Sequence, residues 1–347
     1  MLFLYLACIL LFFIPFPKLV SKGDREWDQY LIKDAALPVK GLFVILVFFR
    51  HFISYVTLSD SIFDKVFYRM DRLTGQLIVT MFLFYSGYGI YESIKKKGRP
   101  YVSGFIRHRF LPVWLKFAIC VFIYFIIGRI VGVKYPIKRI LLAFTGICDI
   151  GNSNWFIFIT LILYLLVFVC FIGPSGREDR GGKWALIIFT LGSLLVAVAL
   201  FFTKPAYFYN TLFCFALGMW YGYYKNKLDE VLREKYWVIL LLAAALVVIS
   251  RVFARMADPF YCIHSAAFCF FAVLVSVKLR SKSRVLSFLG NHVFSIYILQ
   301  RLPMNVLKGR IDNIILYFVI CFAITLIMAL AFDFLESKAR KIMAGGK

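Results

Sequence analysis

The sequence predicts an all-α fold, a polytopic bundle of about ten to eleven transmembrane helices. Three observations predict it. Hydrophobic residues make up 62% of the 347-residue chain and charged residues only 17%, whereas a soluble domain is about half apolar and about a quarter charged. Mean hydropathy is +0.82. Stretches of roughly 20 apolar residues, the length that crosses a bilayer as a helix, recur along the whole chain with short loops between them. Within lipid a helix satisfies its own backbone, so each stretch is read as helical. Residues 1–347 then form one integral membrane domain, with no room for a soluble one.

The apolar segments run over 2–19, 38–57, 75–92, 110–132, 154–173, 184–203, 206–224, 236–252, 258–279, 287–304 and 312–335. The first lacks a basic leader and a small-residue cleavage site, and is read as a retained helix rather than a signal peptide. The junction at Lys204-Pro205 is either a tight turn or a kink, and 287–304 is the weakest segment. The net charge is +23. Its Lys and Arg cluster between apolar segments, as the positive-inside bias requires, so nucleic-acid binding is excluded. With the basic loop around 93–109 in the cytoplasm, alternation collects about 26 basic residues inside and about 12 outside. This predicts a multi-pass protein of the cell membrane, a bacterial inner or plasma membrane, with its N-terminus outside and its C-terminus cytoplasmic. The 8 cysteines form no C-x-x-C pair and read as packing residues. No ligand spacing implies a metal.

Polar groups inside such helices are expensive and mark candidate sites. In PVKGLFVILVFFRHFISYV, Lys40 and His51 lie eleven positions apart. That is about 1100° of helical turn, so they share a face about 16–17 Å apart along the axis. The separation is comparable to an extended pantetheine arm. A basic rim group suits a phosphate, and neutral histidine suits a hydroxyl proton near neutral pH. The alternative is that His51 only bonds across the bundle. Arg50 points about 100° away and either pairs within the bundle or snorkels.

The Lys40-Gly41…His51 helix resembles the first core helix of the acyltransferase-3 family of integral membrane O-acyltransferases, with Lys40 where that family usually has Arg. The resemblance continues through Ser86-Gly87-Tyr88 in FLFYSGYGIYESIKKK, and through Arg107, Arg109 and Pro112 in FIRHRFLPVWL. It extends to Asn154-Trp155-Phe156, to Gly218 in FCFALGMWYGYY, and to Gly290, Ser295, Ile296 and Tyr297 in FLGNHVFSIYILQRLP. Gln300 stands where the family often has His, which speaks against a catalytic role there. The likeness covers about residues 38–335, leaving segment 2–19 as an addition before the core.

The resemblance implies an O-acyltransferase that moves an acyl group, expected to be acetyl, from acyl-CoA to a hydroxyl of a carbohydrate or glycan-type acceptor. Acetyl-CoA is then a donor substrate, and no bound cofactor is expected. Lys40, Arg107 and Arg109 are expected to hold the CoA head at the cytoplasmic mouth, with His51 as general base or transient acyl carrier. Arg107 and Arg109 read equally as topology anchors. Ser86 and Tyr297 are expected either to donate to an oxyanion or to satisfy a neighbouring helix. Trp155 and Asn154 are expected by the substrate channel, with interfacial packing the alternative for Trp155. His108, His264 and His292 read as loop or helix-end residues, and Asp149 as an acid near the outer mouth. The rival reading is a polysaccharide or lipid-linked sugar exporter, for which two related halves with helices broken at the midplane are expected; no such pairing is present.

Overall fold

The structure, a computed structural model, describes residues 1–173 and 179–345. The expected loop 174–183 lies partly outside them, as does Lys347. Helix accounts for 79% of the chain, with almost no sheet. In order the helices are α1 (Leu2–Leu10), α2 (Lys33–Phe52), α3 (Ile62–Thr74), α4 (Thr80–Lys97), α5 (Arg99–Ser103), α6 (Leu111–Ile130), α7 (Ile137–Ala143), α8 (Trp155–Ile172), α9 (Asp179–Thr203), α10 (Phe213–Phe253), α11 (Asp258–Lys278), α12 (Arg284–Asn291), α13 (Val293–Leu299), α14 (Arg301–Leu307) and α15 (Ile314–Gly345). A short antiparallel ribbon joins β1 (Lys18–Leu19) to β2 (Leu279–Arg280). Among the described residues, 8 helical stretches are long and apolar enough to cross a membrane.

Contacts between loops sort the two ends of the bundle. At one end, the Met1 ammonium lies 3.4 Å from Asp64, Lys204 donates to the Ile147 carbonyl, and Asn305 donates to that of Gly151. At the other, β1 pairs with β2, Arg233 pairs with Asp28, and Lys225 donates to the Asp28 carbonyl. These ends, called outer and inner here, group the loops as the alternation of segments requires.

Three segments depart from the hydropathy reading. The helix expected over 2–19 stops at Phe13, too short to span the roughly 30 Å hydrocarbon layer. Pro15 and Pro17 end it, since neither ring can donate a helical hydrogen bond. The segment still runs from Asp64 at the outer end to the ribbon at the inner end, half helical and half extended. The segments 206–224 and 236–252 agree with that reading: they are the two arms of α10, which meet where Lys235 leaves helical geometry (φ −118°, ψ 22°). Its arms run antiparallel. Cys214 meets Ser265 near the start of α11, Tyr236 donates to the Leu274 carbonyl near its end, and Ser250 is back beside His264. The segment 287–304 is broken: α12 runs inward along α2, and the outward crossing begins only at Val293. Finally, 131–154 is not a plain outer loop. It folds inward, with Phe144 accepting from the Trp114 indole and Gly146 from the Asn154 amide at 2.7 Å. Irregular backbone at such depth is tolerated where it lines a cavity, and this one does.

Two helix crossings set the interior. A Cβ on Gly41 would lie 1.9 Å from the Leu286 carbonyl oxygen, and one on Gly290 2.1 Å from that of Leu37, so α2 and α12 touch backbone to backbone. Gly87 and Gly218 make the same contact between α4 and α10, at 2.1 Å from the Phe215 oxygen and 2.2 Å from the Phe84 oxygen. Small residues permit this approach, and dispersion between the backbones then holds the helices without a hydrophobic drive. The apolar window of α2 is 72% buried and that of α4 61%, against 22% for the stretch containing α6. Polar side chains on α2 therefore face protein rather than lipid. Its outer half is fixed by a ring cluster in which Phe49 stacks on Phe318 at 4.3 Å.

Candidate active site

Helix α2 carries Lys40 near its inner end and His51 near its outer end. It keeps helical geometry between them, so the separation expected from the sequence holds. Each residue opens onto its own cavity. The inner cavity, about 390 Å³, is lined by Lys40, Ser86, Arg109, Tyr164 and Asn291 among others. Lys40 projects over the Tyr85 ring at 5.1 Å. Ser86 and Tyr164 share a hydrogen bond of 3.0 Å, and Arg109 donates to the Tyr101 hydroxyl at 2.9 Å. Arg109 leaves a π-helical turn, Ile106–Phe110, that leads into α6. Such widened turns re-aim side chains: both Arg107 and Arg109 are exposed here, but only Arg109 lines the cavity.

The outer cavity, about 510 Å³, holds His51 together with Asn154, Trp155 and Tyr297. The His51 ring lies 6.0 Å from the Tyr297 ring. Its Nδ1 is buried without a well-formed hydrogen bond, beside the Gln300 carboxamide, whose Oε1 is likewise buried and unpaired. Gln300 is fully buried, and its Nε2 donates to the Tyr297 carbonyl. The Tyr297 hydroxyl is buried near Ser153 and the Phe156 backbone, with no well-formed bond to either. Trp155 packs edge-on against Tyr207, and Asn154 pins the inward-folded loop through Gly146. Between the cavities stands an aromatic septum. Phe82 of the inner cavity lies 6.2 Å from Phe156, which lies 5.4 Å from Tyr297.

The site residues named from sequence thus divide. Lys40, Ser86 and Arg109 meet at the inner cavity; His51, Asn154, Trp155 and Tyr297 meet at the outer one. Ser86 stands away from His51, so the two do not form one oxyanion-and-base pair. Of the remaining histidines, His264 bonds Ser250 at 3.1 Å, His292 bonds Asp333, and His108 is exposed.

Sequence reasoning missed the arginine shell of the outer cavity. Arg50 pairs with Asp71 of α3, a residue 1% exposed. Arg301 donates through Nε to the Tyr55 hydroxyl at 2.9 Å and through Nη1 to the Asn152 carbonyl at 3.4 Å. Arg72 lines the mouth. Arg301 was legible by the rule that singled out His51, a charge within an apolar segment. Asp71 and Arg72 gave no such signal, because α3 is amphipathic and reads as a loop. Asp149 does reach the cavity, and it also lies 3.5 Å from Arg139.

The family model described as Acyltransferase domain (Acyl_transf_3) matches residues 39–334, from the residue before Lys40 to the residue after Asp333. No curated protein and no solved structure matches the chain. Nearly the whole chain is covered, and its helices are long and apolar enough to cross a membrane: the protein belongs to the Acyl_transf_3 family of membrane acyltransferases.

Proposed function

We propose that this protein transfers an acyl group, acetyl, from cytoplasmic acyl-CoA to a hydroxyl of a glycan-type acceptor that enters from the outer side. The observation that carries the reading is the placement of His51 and Lys40 on one buried helix, each opening a separate cavity, about 16–17 Å apart. In this reading the inner end is cytoplasmic, in keeping with its excess of Lys and Arg. Lys40 and Arg109 neutralise CoA phosphates at the inner mouth. The pantetheine arm passes the septum where Phe82 faces Phe156, and the thioester carbonyl comes to His51.

His51 Nε2 accepts the proton of the acceptor hydroxyl as that oxygen attacks the thioester carbonyl carbon. The tetrahedral oxyanion collapses, the C–S bond breaks, and the CoA thiolate takes the proton back from the imidazolium. The products are an ester and CoA-SH. The Tyr297 hydroxyl, buried with no well-formed bond on a ring 6.0 Å from that of His51, is assigned to the oxyanion. Trp155 and Asn154 shape the acceptor side.

The test pairs two variants with two measurements. Both His51→Ala and His51→Gln are expected to lose transfer by about 10²–10⁴-fold, the usual contribution of a positioned general base. Thermal stability in detergent and binding of acetyl-CoA are expected to stay near wild type, since the phosphate contacts lie three turns away. Gln keeps polarity and hydrogen-bonding capacity but cannot take the proton. An active Gln variant beside a destabilised Ala variant would return His51 to packing.

A further inference from the structure

The outer cavity contains more cation than its own acids answer. Four charged residues line it: Arg50, Arg72, Arg301 and Asp149. Arg50 is held by Asp71. Asp149 accepts from Arg139 through its backbone carbonyl at 2.8 Å and lies 3.5 Å from the same guanidinium through its carboxylate. Among the described residues, neither Arg72 nor Arg301 has a carboxylate at ion-pair distance. Arg72 lies over the Tyr68 ring, 5.9 Å from its centroid. Arg301 hydrogen-bonds only neutral groups, the Tyr55 hydroxyl and the Asn152 carbonyl, and Asp149 acts on it only through space.

A guanidinium presents five N–H donors in a planar fork. Two are used at Arg301, and both bonds fix the direction of the group without neutralising it. A half-buried cation held in place by neutral acceptors is costly to keep unless something anionic completes it. Its geometry matches a carboxylate or a phosphate in two parallel hydrogen bonds. Arg72, exposed at the mouth on α3, gives a second positive point for an approaching anion. His51, the proposed base, lines the same space.

We propose that the acceptor is a hydroxyl compound that also carries an anionic oxygen group, a carboxylate or a phosphate, which Arg301 and Arg72 hold while the hydroxyl is presented to His51. This rests on the acyl-transfer reading of the same cavity and narrows its acceptor class. The anionic group is an anchor and takes no part in bond making; the proton and acyl group move only between the hydroxyl, His51 and the thioester.

The test measures binding of defined probes to the purified full-length protein in an uncharged detergent. One arm compares an oligosaccharide containing glucuronic acid with its carboxyl-reduced, neutral form. The other compares a glycerol phosphate oligomer with a neutral polyol of equal length. The arms separate a carboxylate source from a phosphate one. At least one anionic probe is expected to bind ten times or more tightly than its neutral counterpart. Arg301→Gln and Arg72→Gln should each remove most of that preference. Arg301→Lys should restore part of it, which separates loss of charge from loss of fold. Lys134→Gln, an exposed cation of the outer loop, should leave it unchanged. Equal binding of anionic and neutral probes in both arms overturns the proposal. So does a preference that survives the Arg72/Arg301 double substitution, because it then belongs to the diffuse charge of a +23 chain. His51→Gln should keep the preference while losing transfer. If wild type shows the preference and transfers to no acceptor, acyl transfer fails while the anion site stands.

Discussion

The inner and outer cavities lie at the two ends of one helix, yet they hold their charges by different means. At the inner cavity, Lys40 rests over Tyr85 and Arg109 against Tyr101, and a backbone-to-backbone crossing fixes the wall behind them. At the outer cavity an ion pair, a phenol and a backbone carbonyl orient two arginines around a histidine whose Nδ1 has no well-formed bond. The inner site is shaped by helices packed backbone to backbone, and its cations lie beside neutral rings. The outer site is shaped by side chains and by loops folded inward. Phosphate recognition tolerates the first arrangement, since a point charge near a rim is enough. Proton transfer needs the second, because geometry at the reacting atoms decides its rate.

The largest expected effect is on the crossing beneath the inner cavity. Gly41→Val puts a branched side chain where even a Cβ would lie 1.9 Å from the Leu286 carbonyl oxygen. Overpacking of this kind costs about 1–3 kcal/mol or more. It should lower the melting temperature and impair acetyl-CoA binding together. Gly128→Ala, where a Cβ would meet only the Val133 side chain at 4.0 Å, is the control and should be silent. If Gly41→Val melts like wild type, the crossing does not shape the inner site.

A smaller effect separates the arginines of the π-helical turn. Lys40→Ala and Arg109→Ala should each raise the KM for acetyl-CoA with little change in kcat. Losing a charged hydrogen bond costs about 1.5–3 kcal/mol, or roughly ten- to a hundredfold. Arg107→Ala should change neither, because that side chain does not line the cavity. An Arg107 effect as large as that of Arg109 would mean that the donor lies across the mouth rather than in it. Gln300→Leu addresses the other end. It removes the carboxamide beside His51 Nδ1, so transfer should fall by about tenfold through loss of tautomer and ring orientation. Gln300→Asn should recover part of the rate, whereas an unchanged Leu variant would leave Gln300 as packing.

The sequence showed the membrane bundle, the shared face of Lys40 and His51, and the motif glycines, because each depends on local pattern. Composition marks a span, and eleven positions on any straight helix share a face. Continuity of backbone is less legible. Hydropathy cannot see that Pro15 and Pro17 end α1 halfway, or that the Gly290-Asn291-His292 stretch turns α12 against the direction of α13. Nor can it see that 131–154 enters the bundle, since that depends on Trp114 and Asn154 meeting carbonyls in space. The arginine shell was lost for the same reason. Arg50 was visible, but its partner Asp71 becomes buried only when α3 folds onto α2.

That ion pair gives the smallest expected effect and the finest test of the comparison. Burial holds the Asp71 carboxyl above the usual carboxylate range, outweighing the opposite pull of Arg50. A folded-state pKa raised above the unfolded value of about 3.9 means stability that is fully present below that value and lost as pH rises through the folded pKa. On this sign Asp71 is expected to add little stability at neutral pH, while its contact aims Arg50. Asp71→Asn, close in shape to the protonated acid, should be at least as stable as wild type near pH 7.5, and wild type should draw level with it as pH falls toward 4. Transfer should behave differently: the Asn variant should be slower already at pH 7.5, by a few-fold, because Arg50 is freed beside His51. A variant that melts far below wild type at pH 7.5, with the gap closing on acidification, would show instead that the pair is a structural clamp. The outer cavity would then be held as rigidly as the inner one.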